Sequence, residues 1–136
     1  MKKEGFCKEV IDQFSEFIFW NYNQIEVFDT GPEYGVKFSS SKNNREIIFT
    51  TWGWGGSDDN FFIDFKRKDP AFFRLLKDTD PRIYFSVNLL FKDNPEYKKI
   101  SKVLNEENYP RIIAENISFL KRNLLDIMNE KKWLNP

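Results

Sequence analysis

Two hydrophobic rhythms run along this chain. Near the N-terminus Phe6, Cys7, Val10, Ile11, Phe14, Phe17 and Ile18 recur at steps of three and four, with Lys8, Glu9, Asp12, Gln13 and Glu16 between them. That spacing gathers the apolar side chains on one stripe and predicts an amphipathic helix over residues 4–20. Cys7 lies on the stripe, so it reads as a buried small hydrophobe rather than a reactive thiol. From residue 25 the period falls to two. Strands are predicted at 25–29, 34–39, 46–52 and 60–66. A turn at Thr30-Gly31-Pro32-Glu33 and a polar loop at 39–44 separate the first three.

Helical signals then return. Asp69-Pro70 places an N-cap before a proline, which predicts a short helix over 71–77 that Asp78-Thr79-Asp80-Pro81 stops. Residues 82–91 read as a long strand, because Ile83, Phe85, Val87, Leu89 and Phe91 share one face. Tyr84, Ser86, Asn88 and Leu90 share the other, and a strand so apolar belongs near the middle of a sheet. Asn94-Pro95 repeats the cap signal and predicts a helix to about residue 105. Pro110 opens a last helix, with Ile113, Ile117, Leu120, Leu124 and Ile127 or Met128 as its stripe, fading near residue 132.

The order α-β-β-β-β-α-β-α-α implies an α+β fold. It predicts a single, mainly antiparallel sheet of about five strands, with the N-terminal helix and the C-terminal helices packed mostly on one face. The 136 residues fit a single domain, 1–136, without repeats or an interdomain linker. Aromatic residues make up 18% of the chain, 15 of them Phe, so the core is expected to be aromatic.

Composition narrows the chemistry. There is no histidine, which removes Ser/His and Cys/His triads, imidazole acid–base catalysis and the common zinc sites. One cysteine allows no internal disulfide. No apolar run has the length of a signal peptide or of a membrane helix, so a soluble, cytoplasmic protein without membrane contact is expected. Charge is balanced overall but polarised. Residues 1–64 carry 6 Lys/Arg and 11 Asp/Glu, whereas residues 65–136 carry 15 and 10. A bipolar surface suits docking to a charged partner, while the uniform basicity of a non-specific nucleic-acid binder is missing.

The stretch 47–66 concentrates the candidate chemistry. Two apolar runs flank Trp52-Gly53-Trp54-Gly55-Gly56-Ser57-Asp58-Asp59, the strongest hairpin signal in the chain. Exposed Trp beside acids is the composition of a recognition hot spot, which singles out Trp54, Asp58 and Asp59, with Trp52 and Tyr34 nearby. The glycines do not form a phosphate loop, since no Gly-Lys-Ser/Thr follows. No cofactor is expected.

On the outgoing strand, alternation puts Phe61, Ile63 and Phe65 on one face and Phe62, Asp64 and Lys66 on the other. Asp64-Phe65-Lys66 resembles the acid-x-Lys half of the restriction-endonuclease-like nuclease signature. That resemblance implies Mg²⁺ held by Asp64 and an upstream acid, Glu46, Asp58 or Asp59, with Lys66 orienting a water. The triplet is also a common solvent-facing charge pair, and no Pro-Asp precedes it at a fitting strand start. A basic run, Lys66-Arg67-Lys68, with Arg74, Lys77, Lys98, Lys99 and Lys102 later, offers phosphate contacts or simply a solvated face.

In size, element order and its aromatic-acidic hairpin the chain is similar to small single-domain bacterial immunity proteins of toxin/immunity pairs. The resemblance implies a non-catalytic protein-binding module whose partner, a cognate toxin domain, is neutralised by covering its active site. The alternatives are the Mg-dependent nuclease, or a relic of one, and a small-ligand carrier with an aromatic cavity between sheet and helices.

Overall fold

The computed structural model describes residues 3–15, 22–40, 44–52, 59–68, 77–129 and 133–134. The fold is α+β, as the sequence order implies. Its elements are α1 (Lys3–Gln13), β1 (Gln24–Asp29), β2 (Glu33–Ser40), β3 (Arg45–Trp52), β4 (Asp59–Arg67) and β5 (Tyr84–Ser86), then α2 (Val87–Leu90), α3 (Pro95–Lys98), β6 (Val103–Leu104), α4 (Tyr109–Asn123) and α5 (Leu125–Met128). The sheet runs β1-β2-β3-β4-β5, with β6 also paired to β4, and every pairing is antiparallel.

Period-two alternation decides which side of the sheet becomes core. Tyr34, Val36 and Phe38 on β2, Ile47 and Phe49 on β3, and Phe61, Ile63 and Phe65 on β4 are all buried. Against them pack Phe6 and Val10 of α1, Phe14 just after it, and Ile113, Ile117 and Leu120 of α4. The interior is a mesh of rings. Phe14 meets Phe49 at 5.2 Å, Phe6 meets Phe61 at 5.8 Å, and Phe65 stacks on Phe85 at 4.8 Å between centroids. Each such pair contributes about 0.5–1.5 kcal/mol beyond the area it buries. Cys7 sits in this core, and burial raises its thiol pKa above the ordinary value, so it is a packing residue.

Three predicted elements change. The long strand over 82–91 is a strand only at Tyr84–Ser86, then turns into α2, and Leu89 is 70% exposed. The reason lies on β4. Where a longer β5 would continue the ladder, the Asn88 amide takes the bonds, accepting from Ile63 N at 3.2 Å and donating to the Phe61 carbonyl at 3.0 Å. Phe61 N donates to the Lys102 carbonyl at 2.8 Å, which brings β6 to the next positions of β4. This also explains the second change. The helix after Asn94-Pro95 is capped as expected, with the Asn94 side chain accepting from Tyr97 N, but it ends at Lys98 because 103–104 are drawn into the sheet. Thirdly, the last helix breaks at Leu124, whose ψ of 19° leaves the helical region, before α5 makes one further turn.

Helix α1 covers the first part of the predicted 4–20 span, of which residues 16–20 lie outside the described set, as does nearly all of the predicted helix over 71–77. Trp133 closes the C-terminal end. Its indole N–H donates to the Pro81 carbonyl at 2.8 Å, and the guanidinium groups of Arg67 and Arg45 lie over its ring at 4.9 and 5.4 Å. Among the described residues no helix is long and apolar enough to cross a membrane.

Candidate functional site

The residues that alternate with the core positions form the other face of the sheet, and among the described residues no helix lies over it. Register assigns its rows. Gln24, Ser39, Glu46, Lys66 and Tyr84 form one row, and Glu26, Lys37, Ile48, Asp64 and Ser86 form the next. Phe28, Gly35, Thr50 and Phe62 follow, then Glu33, Trp52 and Asn60. Charge dominates the first two rows and aromatic surface the last two. Trp52 is 39% and Phe62 36% exposed.

A shallow cleft of about 330 Å³ lies in this face, walled by Phe28, Ile48 and Thr50 and by the charged groups of Glu26, Glu33, Lys37, Asp64 and Lys66, with Tyr84 at one end. Gly35 shapes it. A Cβ there would stand 2.8 Å from the Phe28 ring and 2.1 Å from the Phe49 carbonyl oxygen, so only glycine permits the close approach.

Asp64 sits at the centre of the charged rows. The Tyr84 hydroxyl donates to its Oδ1 at 3.0 Å. Burial raises the Asp64 carboxyl above its ordinary 3.8, against hydrogen bonds from Tyr84 and Ser86 and the nearby Lys66 charge, which lower it. The Tyr84 phenol is pushed up to about 12, first by burial and then by Asp64, so it remains a neutral donor at physiological pH. Lys66 Nζ lies 5.9 Å from the centre of the Tyr84 ring. Lys37 bridges the acids beside it, with Nζ 3.0 Å from Glu26 and 4.0 Å from Glu46. Those partners raise the Lys37 ammonium pKa, its hydrogen bond to Glu26 most of all.

The sequence candidates are therefore divided. Trp52 ends β3 on the open face, between Glu33 and Asn60. Tyr34 is on the opposite face, 6% exposed, with its ring edge against Phe6 at 5.6 Å. It is a core residue rather than a neighbour of an exposed Trp52, because the alternation that turns Val36 and Phe38 inward turns Tyr34 inward too. Trp54 and Asp58 lie outside the described residues. Asp59 opens β4, its backbone paired to Leu104.

Asp64 and Lys66 do share the open face. Glu46 stands directly across from Lys66 and toward Lys37, while Ile48 is the residue opposite Asp64. Among the described residues no three carboxylate or thiol groups converge on a possible metal position. The contacts seen on this face are ion pairs and hydrogen bonds. The basic run is likewise dispersed. Arg67 is held by the Arg82 carbonyl and by Trp133. Lys102 Nζ donates to the carbonyls of Tyr97 and Ile100, and burial brings its pKa down to about 8.

Glu26, Phe28, Lys37, Phe62 and Tyr84 complete the site and were not singled out in the sequence. A signal was present for Lys37, Phe62 and Tyr84, each of which alternates with a buried apolar neighbour, whereas Ile25 and Val27 beside Glu26 and Phe28 are exposed. No family model, no curated protein and no solved structure matches this chain.

Proposed function

We propose that this protein is a non-catalytic protein-binding module that docks through the open face of its sheet. The carrying observation is the pairing, on a face that no helix covers among the described residues, of two charged rows with two rows containing the exposed rings of Trp52 and Phe62. A central aromatic patch with neighbouring fixed charges is the composition of an interface whose rings supply affinity and whose charges supply orientation and rate. Asp64 adds to the reading. Burial disfavours the charged form of the Asp64 carboxyl, and groups perturbed in this way cluster at working sites. A cationic side chain of the partner inserted beside Asp64 offsets that penalty. In finer terms the module acts in the manner of an immunity protein, covering the active site of a toxin domain, with Trp52, Trp54, Asp58 and Asp59 among the contact residues.

The test starts from affinity capture at physiological salt, followed by reconstitution with the purified captured protein. A one-to-one complex is expected, in which the partner's enzymatic activity falls stoichiometrically as the chain is added. It should be lost in the Trp52→Ala/Phe62→Ser variant and kept in Lys121→Ala, a change on the exposed side of α4. A complex indifferent to the first variant refutes docking through this face. A complex that leaves the partner fully active refutes the immunity-type role.

A further inference from the structure

We infer that β1 is a second interaction surface, through which two copies of this chain join edge to edge into one continuous antiparallel sheet. The two ends of the sheet are built differently. At the far end β5 has three residues and β6 two, and the chain turns straight into α2, so little edge is offered. At the near end β1 has six residues, pairs residue for residue with β2 without a bulge, and has no other strand beside it among the described residues.

The parity of the free groups follows from the turn. Thr30 N donates to the Glu33 carbonyl at 2.8 Å, and antiparallel ladders alternate, so Gln24, Glu26 and Phe28 bond to β2. The N–H and C=O groups of Ile25, Val27 and Asp29 then point outward. Their side chains lie on the helix side, where Val27 is 57% and Ile25 41% exposed.

Natural edges are usually blunted by proline, a bulge, or an unpaired charge, most often lysine. β1 has no proline and no bulge. Its two charged residues are already neutralised within the fold: Glu26 by Lys37 at 3.0 Å, and Asp29 by Lys3 at 2.8 Å.

The occupant is set by self-complementarity. When two β1 strands run antiparallel about Val27, Val27 faces Val27 of the second copy and Ile25 faces Asp29 in both directions, so every outward group meets an outward group. Glu26 then faces Phe28. Moving the centre to Glu26 sets two like charges directly opposite, which is destabilising. Moving it to Phe28 leaves Ile25 beyond the end of the partner strand. Of these three registers, the one centred on Val27 satisfies hydrogen bonds and charge together.

Sedimentation velocity on the full chain, from about 1 to about 100 µM, is expected to show a monomer–dimer equilibrium. Val27→Lys places two ammonium groups face to face and Val27→Pro removes the central N–H donors, which the monomer's own ladder does not use. Either change is expected to weaken the dimer by about 30-fold or more while leaving the melting of the monomer in place. The register is read independently in a Cys7→Ala background, where Val27→Cys should form an intermolecular disulfide at least about tenfold faster than Ile25→Cys, which faces Asp29 instead of itself. A wild-type chain that stays monomeric throughout, variants that dimerise as the wild type does, or equal cross-linking at both positions would each overturn the inference. Capture of a partner through the open face is expected to survive Val27→Lys, so the two surfaces fail separately.

Discussion

The two faces of this sheet are cut from the same strands, residue by residue, and they have been given opposite tasks. On one face Phe49 touches Phe14 and Phe38 and is fully buried. On the other its neighbour Ile48 stands between Lys37 and Asp64. The first face obtains its free energy by excluding water and is specified by volume. The second leaves its charges partly in contact with water and gains little stability from them, since exposed ion pairs contribute only about 0–1 kcal/mol each. What the covered face gives the fold is a rigid platform. What the open face adds is a fixed arrangement of charges and rings that stability alone does not require.

That contrast can be broken from either side. The largest expected effect is on the covered face, where Phe49→Ala should cost about 3–5 kcal/mol in denaturant unfolding, because the cavity is ringed by other aromatic side chains that cannot collapse into it. A loss under 1 kcal/mol would mean that the core is far less tightly packed than its ring contacts imply. Thr51→Val, also on that face, should have the opposite sign. The Thr51 hydroxyl is fully buried with no hydrogen-bond partner among the described residues, so its removal should stabilise by about 1–2 kcal/mol.

The open face should respond to pH instead. Because burial raises the Asp64 carboxyl above 3.8, its protonated form is the one that favours folding. Its contribution is fully present below 3.8 and is lost as pH rises through the folded-state value. Asp64→Asn, which can still accept the Tyr84 hydrogen bond, should therefore be more stable than the wild type near neutral pH and should lose that advantage in acid. Melting curves across the acid range check this, and a gap independent of pH would remove the carboxylate as its cause. The smallest effect is expected at Lys37→Ala. Its partner Glu26 is exposed and its contact with Glu46 is long, at 4.0 Å, so the change should cost under about 1 kcal/mol and should shrink further at high salt.

The same contrast explains what was readable from sequence. The antiparallel α+β order, the inward set on β4 and the pairing of Asp64 with Lys66 on one face all follow from a strict period of two, which local sequence records. The length of β5 does not, because it is ended by Asn88, a residue 25 positions from the amide it satisfies. The shortened helix after Pro95 has the same cause, since Val103 and Leu104 suit a helical stripe equally well until β4 offers them a ladder. Tyr34 was legible but misplaced: it was grouped with Trp52, whereas its place beside Val36 and Phe38 already put it inside. The charged rows were hidden for another reason. Glu26, Lys37, Asp64 and Tyr84 come from four strands spread over most of the chain, and only register brings them side by side.

The central claim is that the open face, and not the covered one, meets the partner. Its most direct test is the dissociation constant of the captured, purified partner for the wild type and for Trp52→Ala/Phe62→Ser, with each chain's melting temperature measured alongside. Docking through the open face predicts a loss of affinity of about 100-fold or more at nearly unchanged melting temperature. Equal affinities for the two chains would contradict it.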